Sequence, residues 1–154
     1  MRMSEGAVSR SEELFGSGLL CAESVLLAVA EDRGVDSELI PRIATGLCSG
    51  LARTGGLCGA VGGAILALGL VAGRDAADEP VDPVYGLVRE VLSDFEERFG
   101  GTSCIGLTGC DLATDEGRRR FEETGQRERC TGYVGEATRS VLEALARRAP
   151  TSDG

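Results

Sequence analysis

Residues 58–70 read Cys58-Gly59-Ala60-Val61-Gly62-Gly63-Ala64-Ile65-Leu66-Ala67-Leu68-Gly69-Leu70. This apolar run is too long for an ordinary strand, and Gly59, Gly63 and Ala67 recur four residues apart, the spacing that lets a second helix approach closely. It therefore predicts a Gly/Ala-rich helix at the centre of a bundle. The uncharged stretch is wider, 20 residues from Thr54 to Gly73, long enough in principle to cross a bilayer. Seven of those 20 are glycine and no second span follows, so a buried helix of a soluble domain is the expectation and no membrane partner is expected.

Outward from this run, the other segments are helical too. Short helices are expected over 11–15 and 21–30, separated by Gly16-Ser17-Gly18, with Val25, Leu26 and Val29 on one face. A third is expected from Asp36 to about Ala52, with Pro41 near its first turn and Leu39, Ile40, Ile43 and Leu47 as its apolar face. Gly50 to Gly56 has the glycine spacing of a phosphate-binding loop but Gly56 where lysine is required, so a tight turn leading to Cys58 is expected there. Asp82-Pro83 opens a strongly amphipathic helix through Val84, Leu87, Val88, Val91, Leu92, Phe95 and Phe99. A charged helix over 115–126 and a last amphipathic one over 130–148 complete the set. The expected fold is all-α, a compact bundle of six or seven helices in a single domain over 1–149, with 150–154 as a disordered tail.

Composition limits the chemistry. The 154 residues carry 25 acidic and 16 basic side chains, a net charge of -9, which argues against nucleic acid as a partner. The one dense basic run, Arg118-Arg119-Arg120, is flanked by acids and reads as a solvated helix face. There is no histidine, and every basic residue is arginine, so Ser/His and Cys/His catalysis, mixed Cys/His zinc sites and Schiff-base chemistry are excluded. Thiols are the one reactive group in unusual supply. The charged N-terminal residues do not resemble a secretory signal, so a reducing cytoplasm is expected, where structural disulfides are uncommon.

Placement distinguishes the six cysteines. Cys21, Cys58 and Cys130 are each expected at or just before a helix start, where free N–H groups and the helix dipole favour thiolate. Cys104 lies in a loop, with Cys110 six residues later as a further candidate ligand. Cys48 falls within an apolar helix and reads as a core residue. No Cys-x-x-Cys occurs, so neither a thioredoxin-like pair nor a zinc ribbon is signalled.

Cys21-Ala22-Glu23-Ser24-Val25-Leu26, the run from Cys58 to Leu70, and the single cysteines Cys104 and Cys130 together resemble the C_GCAxxG_C_C family. Leu57 stands where the family name has glycine, and Gly59 where it has alanine. The resemblance implies a compact helical domain with a redox role carried by Cys21, Cys58, Cys104 and Cys130; Cys48 and Cys110 are additions to the pattern. A related segment occurs in split-Soret cytochromes, but without histidine no covalent haem with histidine ligation is implied.

Three readings of the four cysteines follow. In the first they ligate an iron–sulfur cluster or other redox metal, with Gly59 beside Cys58 as a further cofactor-binding position, in an electron-transfer or redox-sensing protein. In the second the same thiols carry thiol–disulfide exchange without metal. In the third they hold a structural zinc ion. The acidic surface fits a redox partner protein with a basic face, and the chain is expected to be a monomer or a homodimer.

Overall fold

The computed structural model describes residues 2–148; the tail expected at 150–154 lies outside them. Eight α-helices and one 3-10 helix follow in order: α1 (Arg2–Gly16), α2 (Cys21–Asp32), the 3-10 helix (Arg42–Leu47), α3 (Cys48–Arg53), α4 (Gly59–Ala72), α5 (Asp82–Phe99), α6 (Cys104–Thr108), α7 (Asp115–Glu123) and α8 (Gln126–Arg148). Among the described residues there is no β-strand, only an isolated antiparallel bridge between Leu57 and Ser103. Among the described residues, no helix is long and apolar enough to cross a membrane.

The Gly/Ala-rich run forms α4 and lies at the centre, packed against α2, α5 and α8. Gly59 through Ala64, with Ala67 and Leu68, is buried. Gly63 sets the closest approach: a Cβ there would lie 2.6 Å from the Ala22 carbonyl oxygen and 2.8 Å from its Cα. The first turn of α2 is thereby held against the first turns of α4, which places Cys21 beside Gly59. The long helix α8 closes the bundle with Val134, Ala137, Val141 and Leu145, packing on α1, α2, α4 and α5. Phe95, Phe99 and Tyr133 join α5 to α8 through ring contacts at centroid distances of 4.8–5.9 Å.

The structure departs from the expected helices at three places. First, α1 begins at Arg2 rather than near Ser11, and α3 and α6 are short extra turns, which accounts for eight α-helices in place of six or seven. Second, α8 starts at Gln126, so Cys130 is in its second turn rather than at a helix start, while Cys104 is the first residue of α6.

Third, the helix expected over 36–52 does not form. Ile40 and Leu47 pack against the core, but Leu39 and Ile43 are 59% and 52% exposed, so the expected apolar face is not buried as one helical stripe. A turn leads through Pro41 into the 3-10 helix, and Ser49, Gly50, Leu51, Ala52 and Arg53 then take left-handed backbone with φ of 55–71°. Such backbone costs about 1–2 kcal/mol for each residue with a Cβ. It is held by the Gly50 carbonyl, which accepts from the N–H of Thr54 (3.3 Å) and of Gly56 (3.1 Å).

Candidate functional site

Four of the six cysteines arrive at one place from four elements. Cys21 opens α2, Cys58 is the N-cap of α4, Cys104 opens α6 and Cys130 comes from α8. All four line a single cavity of about 260 Å³.

Local hydrogen bonding explains the delivery. The segments around Leu57 and Ser103 run antiparallel: the Cys58 N–H donates to the Thr102 carbonyl and the Cys104 N–H to the Gly56 carbonyl, both at 2.7 Å. One short ladder thus presents two cysteines on the same rim. On the other side, Glu23 accepts from the Leu20 N–H at 2.9 Å and from the Thr45 hydroxyl at 2.7 Å. This ties the start of α2 to the 3-10 helix that precedes Cys48. Glycines leave the sulfurs room: a Cβ on Gly59 would overlap Cys21 Sγ, and one on Gly50 would overlap Cys104 Cβ and lie 3.1 Å from its Sγ.

The remaining walls are mainly apolar and cationic, with the acidic Glu122 and the hydroxyls of Ser49 and Thr108 among them. Phe15, Leu107, Leu112, Phe121 and Tyr133 line the cavity, together with Arg53, Arg118 and Arg127. The Arg127 guanidinium lies 4.6 Å from the centre of the Phe15 ring and donates to the Phe15 carbonyl at 3.1 Å. Arg118 is half-buried, donating to the Leu112 carbonyl at 2.6 Å and pairing with Asp115. The Arg118–Arg120 run is therefore not wholly a solvated face.

Electrostatics separates the thiols. Cys21 is lowered from 9.0 to about 6, chiefly because the Cys48 thiol donates to its sulfur, with further help from backbone N–H groups and against the opposing effect of burial. Cys48 moves the other way, because its proton is engaged by Cys21 and its surroundings are apolar. Burial is the first cause pushing Cys58 and Cys130 up to about 12 and raising Cys104. A charged Cys21 adds to each, and Cys130 also feels Cys58 and Cys104. Thus a helix start lowers a thiol only where desolvation does not outweigh it: Cys58 receives pull from the N–H groups of Ala60 and Val61 and still rises.

All six cysteines are unbridged thiols. Among the described residues, no three of His, Cys, Asp or Glu stand in an arrangement ready to hold a metal ion; the four cysteines line a common space. Cys110 is buried, donates to the Thr108 carbonyl at 3.4 Å and is not part of the cavity wall. Cys48 is buried as a core residue would be and donates to the Ala44 carbonyl at 3.5 Å, but it shares the Gly59 face with Cys21 and is tied to it electrostatically, so it is not a plain core residue. Sequence patterns had no means of pairing these two, because the pairing depends on the left-handed turn. The cavity residues Phe15, Arg53, Phe121, Arg127 and Tyr133 were likewise not foreseen: each falls in a helix or turn with nothing local to mark it.

Residues 19–144 match the family described as "Putative redox-active protein (C_GCAxxG_C_C)". A relative from Archaeoglobus fulgidus, described as "Uncharacterized protein", is 31% identical over 155 residues, covering 94% of this chain and 97% of the relative. No solved structure matches the chain.

Proposed function

This chain belongs to the family described as "Putative redox-active protein (C_GCAxxG_C_C)", and we propose that it acts in electron transfer or redox sensing through an iron–sulfur cluster held by Cys21, Cys58, Cys104 and Cys130. The observation that carries this reading is the convergence of four thiols from four elements on one cavity.

The donor set fits such a group on three counts. Four cysteines meet the usual coordination of a cluster. Gly50 and Gly59 leave the sulfurs unobstructed, and the aromatic and aliphatic walls limit water. The thiols also oppose one another's ionisation: Cys130 is raised first by burial and then by the charges of Cys21, Cys58 and Cys104. Bound metal reverses that repulsion, because coordination deprotonates thiols and a cation compensates their charge. A cluster would supply a one-electron couple. The chain's own part is to hold the thiolates, to keep the site dry, and to place Arg53, Arg118 and Arg127 around an otherwise anionic centre.

The partner in this reading is a redox protein with a basic face, drawn to a chain of net charge -9, and encounter slows as salt rises. The test is purification without oxygen, followed by a visible spectrum and assays of iron, zinc and acid-labile sulfide on one sample. Broad visible absorption with matching iron and sulfide is expected. A colourless protein with one zinc ion would make the site structural, and a colourless metal-free protein would leave thiol–disulfide chemistry as its redox role.

A further inference from the structure

Cys48 lies outside the four cysteines of the family pattern, and its placement gives it work. Its thiol donates to the Ala44 carbonyl oxygen at 3.5 Å, and its ionisation is tied to that of the Cys21 sulfur. Gly59 faces both residues: a Cβ there would overlap Cys21 Sγ and lie 3.2 Å from Cys48 Cα. The left-handed residues that follow Cys48 hold it at this position, and strained backbone of this kind concentrates at functional sites. Access is built in as well. Cys21 is partly buried on the four-cysteine cavity, while Cys48, itself buried, borders a separate surface hollow with Leu20, Thr45, Ser49, Ala52 and Arg53.

We propose that Cys48 is the redox partner of Cys21, and that a hydroperoxide drives the two to a disulfide that withdraws Cys21 from the four-cysteine set. In the first step the Cys21 thiolate attacks the peroxide, an S–O bond forms as the O–O bond breaks, and the displaced alkoxide or hydroxide takes up a proton. In the second, the Cys48 sulfur attacks Cys21, the S–S bond forms as the S–O bond breaks, and hydroxyl leaves as water with the Cys48 proton. Two thiols are oxidised by two electrons, and one hydroperoxide is reduced to an alcohol, or to water if the oxidant is hydrogen peroxide, with a second water released. This goes beyond the cluster reading and does not depend on it, since both residues stand against Gly59 whatever the four cysteines hold.

The sequence makes the test direct. Cleavage after arginine places Cys21 in 11–33, Cys48 in 43–53, Cys58 in 54–74 and Cys130 in 130–139, with Cys104 and Cys110 together in 99–118. The full chain, purified without oxygen, is treated with hydrogen peroxide, its free thiols are alkylated, and it is digested with trypsin without reductant. Mass spectrometry is expected to find 11–33 linked to 43–53 with the loss of two hydrogens. In Cys48→Ser that linked species disappears and Cys21 accumulates as a dimedone-trapped sulfenic acid. Linkage of 11–33 to 54–74 or 99–118 instead, no linkage at any peroxide ratio, or no gain of sulfenic acid in Cys48→Ser would overturn the proposal. Iron and sulfide measured before oxidation report separately on the cluster, so the two ideas fail independently.

Discussion

Gly63 meets the backbone of Ala22 so closely that no side chain fits between them: an added Cβ would stand 2.6 Å from the Ala22 carbonyl oxygen. Gly69, on the same helix, has nothing within 4 Å of its would-be Cβ. The pair gives opposite predictions. Gly63→Ala forces α2 and α4 apart and is expected to lower stability by about 1–3 kcal/mol, the usual cost of overpacking. Gly69→Ala adds helix propensity in open space and is expected to raise stability by up to about 1 kcal/mol. Urea unfolding of both variants checks this, and equal effects would contradict the close approach.

Cys21 ionises first among the site thiols. In protein freed of metal by chelation, its alkylation by iodoacetamide is expected to rise with pH to half its maximum near pH 6, as thiolate forms. Cys58 and Cys130, near 12, stay silent through that range. Cys48→Ala removes the main donor and leaves burial opposed only by backbone N–H groups, so the Cys21 midpoint should move upward. Because folding lowers this thiol from 9.0, its contribution to stability is full above the ordinary thiol range and is lost as pH falls through about 6. A midpoint that ignores the Cys48 substitution would count against the contact.

Glu23 links α2 to the segment carrying Cys48. Glu23→Ala frees the Leu20 N–H and the Thr45 hydroxyl together, and a loss of about 1–2 kcal/mol is expected, comparable to losing a helix cap. Glu23→Gln keeps an acceptor for Leu20 and should cost less. Denaturant midpoints of the two variants decide the order.

The sequence and the structure part company where backbone conformation, rather than side-chain spacing, controls the chain. Apolar periodicity marks α2, α4 and α5 because those helices bury one face or are buried all round. Residues 36–52 carry the same kind of spacing, but the left-handed turn at Ser49–Arg53 leaves no periodic signature, and Leu39 and Ile43 point to solvent. The convergence of Cys21, Cys58, Cys104 and Cys130 was legible because they are the cysteines of a known pattern. The Cys21–Cys48 contact was not, since 26 intervening residues and an unrecognised turn separate the two. Cys130 shows the limit of boundary reading: one more N-terminal turn of α8 moves it off the helix end.

The most direct measurement is iron and acid-labile sulfide per chain in anaerobically purified wild type and in Cys58→Ser, Cys48→Ser and Cys110→Ser. Matching iron and sulfide in the wild type, lost in Cys58→Ser and kept in the other two, is the expected result. Loss in Cys48→Ser or Cys110→Ser with retention in Cys58→Ser would contradict the assignment of Cys21, Cys58, Cys104 and Cys130 as the ligand set.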